Sequence, residues 1–244
     1  MAQKTSNSRF RQRRQEIERE LTRMGPDAWK YFSTVIYSHW QKVFEGYLPK
    51  YLNGLTLDVG SGECPYKALA ERYASRLFLM DHNSQPIKIS LRGDVHHIPL
   101  KESGLDTVLC FQVLEHVANP FISIGEISRV LKPGGTLLLS VPHLSRLHEL
   151  PHDYYRYTEY GLRELARTGG FEVLELEAVG GLVSFLGHQL SMAFLTVFWP
   201  VRFLRPLTLF INKNLFTRFL GFVDRYLGFK SFFPQGYVLA ARKL

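Results

Sequence analysis

Short apolar runs alternate with helical patterns through the middle of the chain. Leu55–Val59 reads as a strand entering a Gly-rich turn, and Leu77–Met80 as a second strand with Asp81 at its end. Asp106–Cys110 is a third, Gly135–Val141 a fourth after a Pro133-Gly134-Gly135 turn, and Glu172–Val179 a fifth. Apolar runs bounded by Gly, Pro and Asp are strand signals. Pro120–Leu131 and Thr158–Arg167 carry helical patterns instead. Strands alternating with helices predict an α/β fold, with a mostly parallel sheet flanked by helices on both faces. Gly236–Ala241 reads as one more, closing strand.

Two zones depart from this rhythm. Residues 1–53 are basic and then aromatic, with Trp29, Tyr31, Phe32, Tyr37, Trp40, Phe44, Tyr47 and Tyr51. Their spacing suits one or two amphipathic helices ending near Asn53-Gly54. This extension is either a lid over a substrate pocket or simple packing on the core, residues 54–181. Residues 182–234 form an apolar helical insertion, and 235–244 return the chain to the core. The insertion holds thirteen Phe, Trp or Tyr, six Lys or Arg and one acid, Asp224.

Residues 182–201 carry no charge, and about 20 apolar residues can span a bilayer. One span alone is impossible, because the chain must return for its last strand. Arg202, Arg205, Lys213, Arg218 and Arg225 make a second span costly. An interfacial hairpin fits better. Leu204, Leu207, Ile211, Leu215, Phe219, Phe222 and Tyr226 recur at helical spacing among cations, as in a helix lying in an anionic membrane surface. A helical subdomain, a substrate cap and a dimer interface are the competing readings.

Composition narrows the class. The 244 residues are 45% hydrophobic and 21% charged, ordinary for a protein with a sizeable core. The net charge of +8 favours anionic partners without choosing among them. Part of it is local, since residues 1–24 hold seven Lys or Arg against three Glu. Two cysteines, Cys64 and Cys110, make no disulfide framework, so a reducing cytoplasm is expected. The polar N-terminus has no apolar segment of the kind a secretory signal needs.

The chemistry gathers at strand ends. Ligands of open α/β sheets bind beyond the carboxyl ends of the strands, where Asp58-Val-Gly60-Ser-Gly62 lies. Glycines let backbone approach a ligand without a Cβ clash. Asp81 follows at the spacing of about 20 residues that suits a ribose-binding acid. A dinucleotide fingerprint needs a third Gly where Pro65 stands, and no Gly-Lys-Ser/Thr follows to make a P-loop. Asp58, ahead of the glycines, can reach a cationic amino group.

Together the segments Leu57–Gly62, Met80-Asp81, Gly93-Asp94-Val95, Asp106–His116 and Leu131–Gly135 resemble the class I S-adenosylmethionine-dependent methyltransferases. The likeness is to the broad small-molecule group with a Leu-Glu-His segment, over roughly residues 54–181 and the closing strand. It implies a Rossmann-like, seven-stranded sheet whose last strand is antiparallel and inserted beside the fifth. It also implies roles. Asp58, Gly60 and Gly62 would surround the methionine moiety, and Asp81 would bind the ribose. Asp94 and the Val95 backbone would read the adenine, while Phe111 and Gln112 would lie beside the methionine end. Cys64 stands where the family usually has a third glycine.

Methyl transfer is an in-line displacement in which positioning does most of the work. His143, after the fourth strand, and His152 are candidate bases, suited by histidine's pKa. Tyr155 and Arg156, in the segment Pro151–Thr158, are candidate substrate contacts, with Arg156 able to hold a phosphate or carboxylate. His116 reads as a cap or packing residue. Glu115, His116 and His143 could converge on a metal. The small-RNA 3′-terminal methyltransferases and some ubiquinone-pathway O-methyltransferases hold a divalent ion with Glu-x-x-Glu-His. Here Gln112 replaces the first Glu, a weaker, uncharged ligand for hard cations, and no metal is expected.

The reading is methyl transfer from S-adenosylmethionine to a small, hydrophobic or lipid-linked acceptor, by a cytoplasmic protein peripheral to a membrane. An RNA methyltransferase ranks lower, because no separate RNA-binding module is visible. A catalytically silent scaffold is opposed by the intact Asp58, Gly60, Gly62, Asp81 and Asp94. The acceptor atom and the oligomeric state stay open.

Overall fold

The computed structural model describes residues 34–62, 64, 66–82, 89–145, 147–148, 151–227 and 232–244. The basic run at 1–24 and Pro65 lie outside them. The described residues divide into two compact units, those of 41–179 with 234–244, and those of 34–40 with 180–233.

The first unit is built on seven strands: β1 (Leu55–Val59), β2 (Arg76–Asp81), β3 (Leu91–Arg92), β4 (Leu105–Phe111), β5 (Leu131–Pro142), β6 (Phe171–Val179) and β7 (Gly236–Lys243). Their order is β3-β2-β1-β4-β5-β7-β6. β1 through β5 pair in parallel. β7 runs antiparallel between β5 and β6. This is the Rossmann-like methyltransferase sheet that the sequence predicts, closing strand included. The order reverses at β1 and β4, so the crevice beyond their carboxyl ends is the ligand position.

Two features escape the sequence reading. β3 is only two residues long, too short to leave a pattern. β5 begins at Leu131, ahead of the expected turn, and its register with β4 jumps from Leu105↔Leu131 to Thr107↔Thr136. Residues 132–135 are that excursion, with Gly134 at φ 76°.

Helices cover the sheet by presenting one apolar stripe each. After a short helix α2 (Lys67–Ala70), α3 (Pro120–Val130) buries Ile124, Ile127 and Val130. α4 (Glu159–Thr168) buries Leu162, Leu165 and Ala166. Asn119 and Thr158 cap them by accepting from the Ile122 and Gly161 amides, which satisfies orphan N–H donors. The end of α1 (Thr34–Tyr51) buries Tyr47 and Leu48. Lys50 and Tyr51 both donate to Glu175, each at 2.7 Å. Cys64 and Cys110 are free and buried.

The second unit contains α5 (Leu182–Phe198), a 3-10 turn (Arg202–Leu204), α6 (Arg205–Ile211), a π-helical stretch (Asn212–Phe219) and α7 (Leu220–Leu227). Leu195 and Trp199 form its small apolar centre with Met192 and Leu209. Buried Asp224 accepts from the Val183 amide at 3.1 Å and from the Ser184 hydroxyl, closing the start of α5. Ser191 donates to Asn212 at 2.6 Å. Much of the apolar content stays outside this centre: Phe203, Phe210, Phe222 and Tyr226 are 81%, 65%, 61% and 86% exposed. Of the stripe read from the sequence, Leu207, Leu215, Phe219, Phe222 and Tyr226 are exposed and Leu204 and Ile211 half-buried. Among the described residues no helix is long and apolar enough to cross a membrane.

Candidate functional site

The glycine turn begins inside β1. Gly60 has φ 64° and Gly62 φ 51°, left-handed values that favour glycine. Their surroundings differ. A Cβ on Gly60 would lie 2.6 Å from Val113 Cγ2, whereas one on Gly62 would meet nothing within 4 Å. Gly60 is needed for packing, and Gly62 faces open space. Cys64 holds φ 38°, so the backbone is left-handed at the position where the resembled methyltransferases usually carry a third glycine.

Two carboxylates converge on this turn. Asp81, at the end of β2, accepts from the Gly62 amide at 3.0 Å, while the Ser61 amide donates to the Met80 carbonyl. Asp58 is fully buried and accepts from the Tyr66 hydroxyl at 3.0 Å and the Cys64 thiol at 3.2 Å. Burial pushes its pKa up to about 7, against the pull of those two neutral donors and with added repulsion from Asp81. The Cys64 thiol is pushed up as well, by burial first and then by Asp58.

The adenine-side candidates follow β3. Asp94 accepts from the His96 amide and meets His96 Nδ1, both at 2.8 Å. Partial burial pulls its pKa upward, but these bonds win and hold it below the usual carboxylate range. Val95 is buried beside it. At the end of β4, Phe111 joins an aromatic trio, 4.8 Å from Phe44 of α1 and 5.1 Å from Tyr66. α1 thus reaches the glycine turn through Phe44. Gln112 has φ 56°, and its Nε2 is buried with no hydrogen-bond partner among the described residues.

Beyond β5 the His143 amide donates to the Gln235 carbonyl at 2.8 Å. Its ring lies 5.7 Å from Tyr237, and its buried Nδ1 has no partner among the described residues. Gln235 Oε1 and Nε2 and Ser140 Oγ are in the same condition. The Gln112 amide donates to the Ser140 carbonyl, which links the ends of β4 and β5. Gln112, Ser140, His143 and Gln235 therefore give these strand ends unused polar capacity. Sequence reasoning missed Ser140 and Gln235. Ser140 hides in an apolar run, and Gln235 is placed only by the antiparallel return of β7.

His152 is exposed, with Nδ1 3.1 Å from the Tyr154 hydroxyl, and keeps neighbours separate from those of His143. Tyr155 donates to the Ala118 carbonyl at 2.9 Å. Arg156 grips Asp153 with two bonds of 2.6 and 2.8 Å. Asp153 is held at about 2, with burial opposing and Arg156 and the His148 amide prevailing. The structure thus places Arg156 as an internal clamp. His148, rather than His143, joins Glu115 and His116 in a compact cluster.

Residues 57–139 match a family model described as a methyltransferase domain. A probable S-adenosylmethionine-dependent methyltransferase of Mycolicibacterium smegmatis is 30% identical over 132 residues, covering 48% of this chain and 51% of that protein. A ubiquinone biosynthesis O-methyltransferase of Dechloromonas aromatica is 32% identical over 111 residues, covering 39% of this chain and 46% of that one. The chain spans about half or less of the length of these curated relatives. A solved S-adenosylmethionine-dependent methyltransferase of Archaeoglobus fulgidus superimposes with TM-score 0.57 at 16% identity, over 88% of this chain and 97% of that one. At that identity the superposition speaks for the fold.

Proposed function

We propose that this chain, which carries a class I S-adenosylmethionine-dependent methyltransferase domain, transfers the methyl group to a small hydrophobic or lipid-linked acceptor at a membrane surface. One observation carries the cofactor half of this reading. The amide of open-faced Gly62 is tied to Asp81, so backbone and ribose-binding acid are held as one unit at the switch in strand order. S-adenosylmethionine supplies an electrophilic methyl on a sulfonium leaving group. The chain's own residues then have to orient the donor and admit an acceptor in line with it. Gln112, Ser140, His143 and Gln235 offer buried polar atoms for an acceptor, and His143 is the better placed of the two candidate bases.

The membrane half rests on the second unit. Within residues 182–234 the exposed aromatics are accompanied by exposed Arg202 and Arg218, while the one acid of that stretch, Asp224, is buried. Apolar side chains among cations, with no exposed acid among the described residues of 180–233, match a surface that enters an anionic interface.

Calorimetric titration with S-adenosylhomocysteine tests the cofactor assignment. Asp81→Ala is expected to weaken binding by at least about tenfold, because a charge-assisted bond to the ribose is worth roughly 1.5–3 kcal/mol. Unchanged affinity would overturn the ribose role.

A further inference from the structure

The helical unit over residues 182–227 has its polarity reversed. Among its described residues the buried polar side chains are Ser184, His188, Ser191, Thr208, Asn212 and Asp224, against Leu195 and Trp199 as the buried apolar ones. Its outer surface is apolar. α5 exposes Leu186, Leu190, Val197 and Phe198, and Gln189 alone of its polar residues. Phe203, Phe210, Phe219 and Phe222 continue that surface through each later element. A chain folded for water does the opposite, because burying polar groups costs free energy and burying apolar ones releases it.

The inward polar groups are bonded within the unit. Ser191 donates to Asn212 at 2.6 Å, and Ser184 donates to Asp224. Thr196, Thr208 and Asn214 each donate to the carbonyl four residues back, at 2.7, 2.9 and 2.8 Å. Gly187 lets another segment come close: a Cβ there would lie 2.9 Å from Leu220 Cδ1. Small residues at the contact, polar side chains bonded across it and apolar side chains outside are the way helices pack in hydrocarbon, where no hydrophobic force drives them together.

We propose that residues 182–227 insert below the head groups into the acyl-chain layer of one leaflet, with their outward face solvated by lipid chains. Insertion presupposes the membrane contact proposed above and goes deeper than it. A helix lying flat on a membrane keeps a charged face for water, whereas α5 carries no charge and turns its polar face into the unit. A protein partner would cover one face, but here apolar side chains are exposed on every element of the unit. Length and connectivity make the insertion one-sided. The 17 residues of α5 give about 25 Å of helix, short of the roughly 30 Å of a hydrocarbon core. The chain leaves the sheet at Val179 and rejoins it at Gly236, which are register partners, so entry and exit share one side. The exposed charges among the described residues of the unit are Arg202 and Arg218, whose long stems let the guanidinium reach anionic head groups.

The test uses the unsubstituted full chain on vesicles of phosphatidylglycerol and phosphatidylcholine. One preparation carries a photoactivatable diazirine near the end of an acyl chain, and a second carries it on the head group. Mass spectrometry then locates the cross-linked peptides. The chain-end label is expected on peptides within 182–227 and not on those of the core strands. Leu190→Glu combined with Phe210→Glu changes two exposed positions. This variant is expected to lose the chain-end label and to bind vesicles at least about tenfold more weakly, because a carboxylate opposes entry into hydrocarbon, with S-adenosylhomocysteine affinity unchanged. Head-group labelling of the unit without chain-end labelling would overturn insertion and leave the surface contact standing. Vesicles that recover no chain would overturn both. A dimer in sedimentation equilibrium that vesicles fail to dissociate would overturn insertion by assigning the apolar surface to a second copy.

Discussion

Asp58 is the residue at which, on the proposed cofactor reading, burial and cofactor charge would meet. Its folded pKa of about 7 stands above the usual carboxylate value, with burial the largest cause. Between the unfolded value near 3.9 and about 7, the folded chain keeps a proton that the unfolded chain has released. Stability of the ligand-free chain is therefore expected to fall as pH rises through that window. On the proposed reading a methionine ammonium bound beside Asp58 would favour the ionised form, so that binding below about pH 7 would release the proton. S-adenosylhomocysteine affinity should be flat above that pH and decline toward tenfold per unit below it. Titrations across pH check this, and Asp58→Asn should abolish the slope. A slope that persists in the variant would move the titrating group elsewhere.

The two turn glycines separate stability from binding. Gly60→Ala forces a left-handed Cβ against Val113 and is expected to cost roughly 2–4 kcal/mol, strain and overpacking combined. Gly62→Ala meets open space and should cost about 1 kcal/mol of strain. On the proposed reading it should nevertheless lose cofactor affinity, because the methyl would stand where the ligand is proposed to approach. Thermal unfolding and S-adenosylhomocysteine titration of both variants check the contrast. A Gly62→Ala chain that binds normally would place the ligand away from this turn.

At the scale of elements, the sequence was legible wherever burial imposed a period. β1, β2, β4 and β6 lie close to their expected places, and α3 and α4 end within a residue of theirs. The antiparallel insertion of β7 followed from resemblance alone, since no local pattern states a strand's neighbours. β3 was illegible because two residues carry no period. The excursion inside β5 was illegible because a Pro-Gly-Gly turn usually ends a strand. The site shows the same division. Asp58, Asp81 and the glycines are read locally, whereas Gln235 and His148 become visible only when distant strand ends meet. The apolar unit has its own tertiary lock in Asp224, which closes α5 from α7. Asp224→Ala leaves the Val183 amide and the Ser184 hydroxyl without this acceptor, at a cost of roughly 1–3 kcal/mol. Amide exchange at residues 183–186 should accelerate, with the core strands unchanged. Unaltered exchange there would remove the lock.

For the whole molecule, the decisive question is what the exposed aromatic side chains of residues 203–226 meet. Burying a phenylalanine side chain is worth roughly 1.5–3 kcal/mol, so three of them exceed what surface charge supplies at physiological salt. Phe203, Phe210 and Phe222 are the natural choice, each more than 60% exposed, so their replacement removes little internal packing. The full chain is expected to float with vesicles containing phosphatidylglycerol. The triple Glu variant should stay at the bottom of the gradient while binding S-adenosylhomocysteine normally. Raised salt should weaken flotation only partly, because apolar burial is not screened as the Arg contacts are. If the unsubstituted chain fails to float, the membrane half of the proposal falls. The cofactor half survives that outcome, and the acceptor is then to be sought among water-soluble molecules.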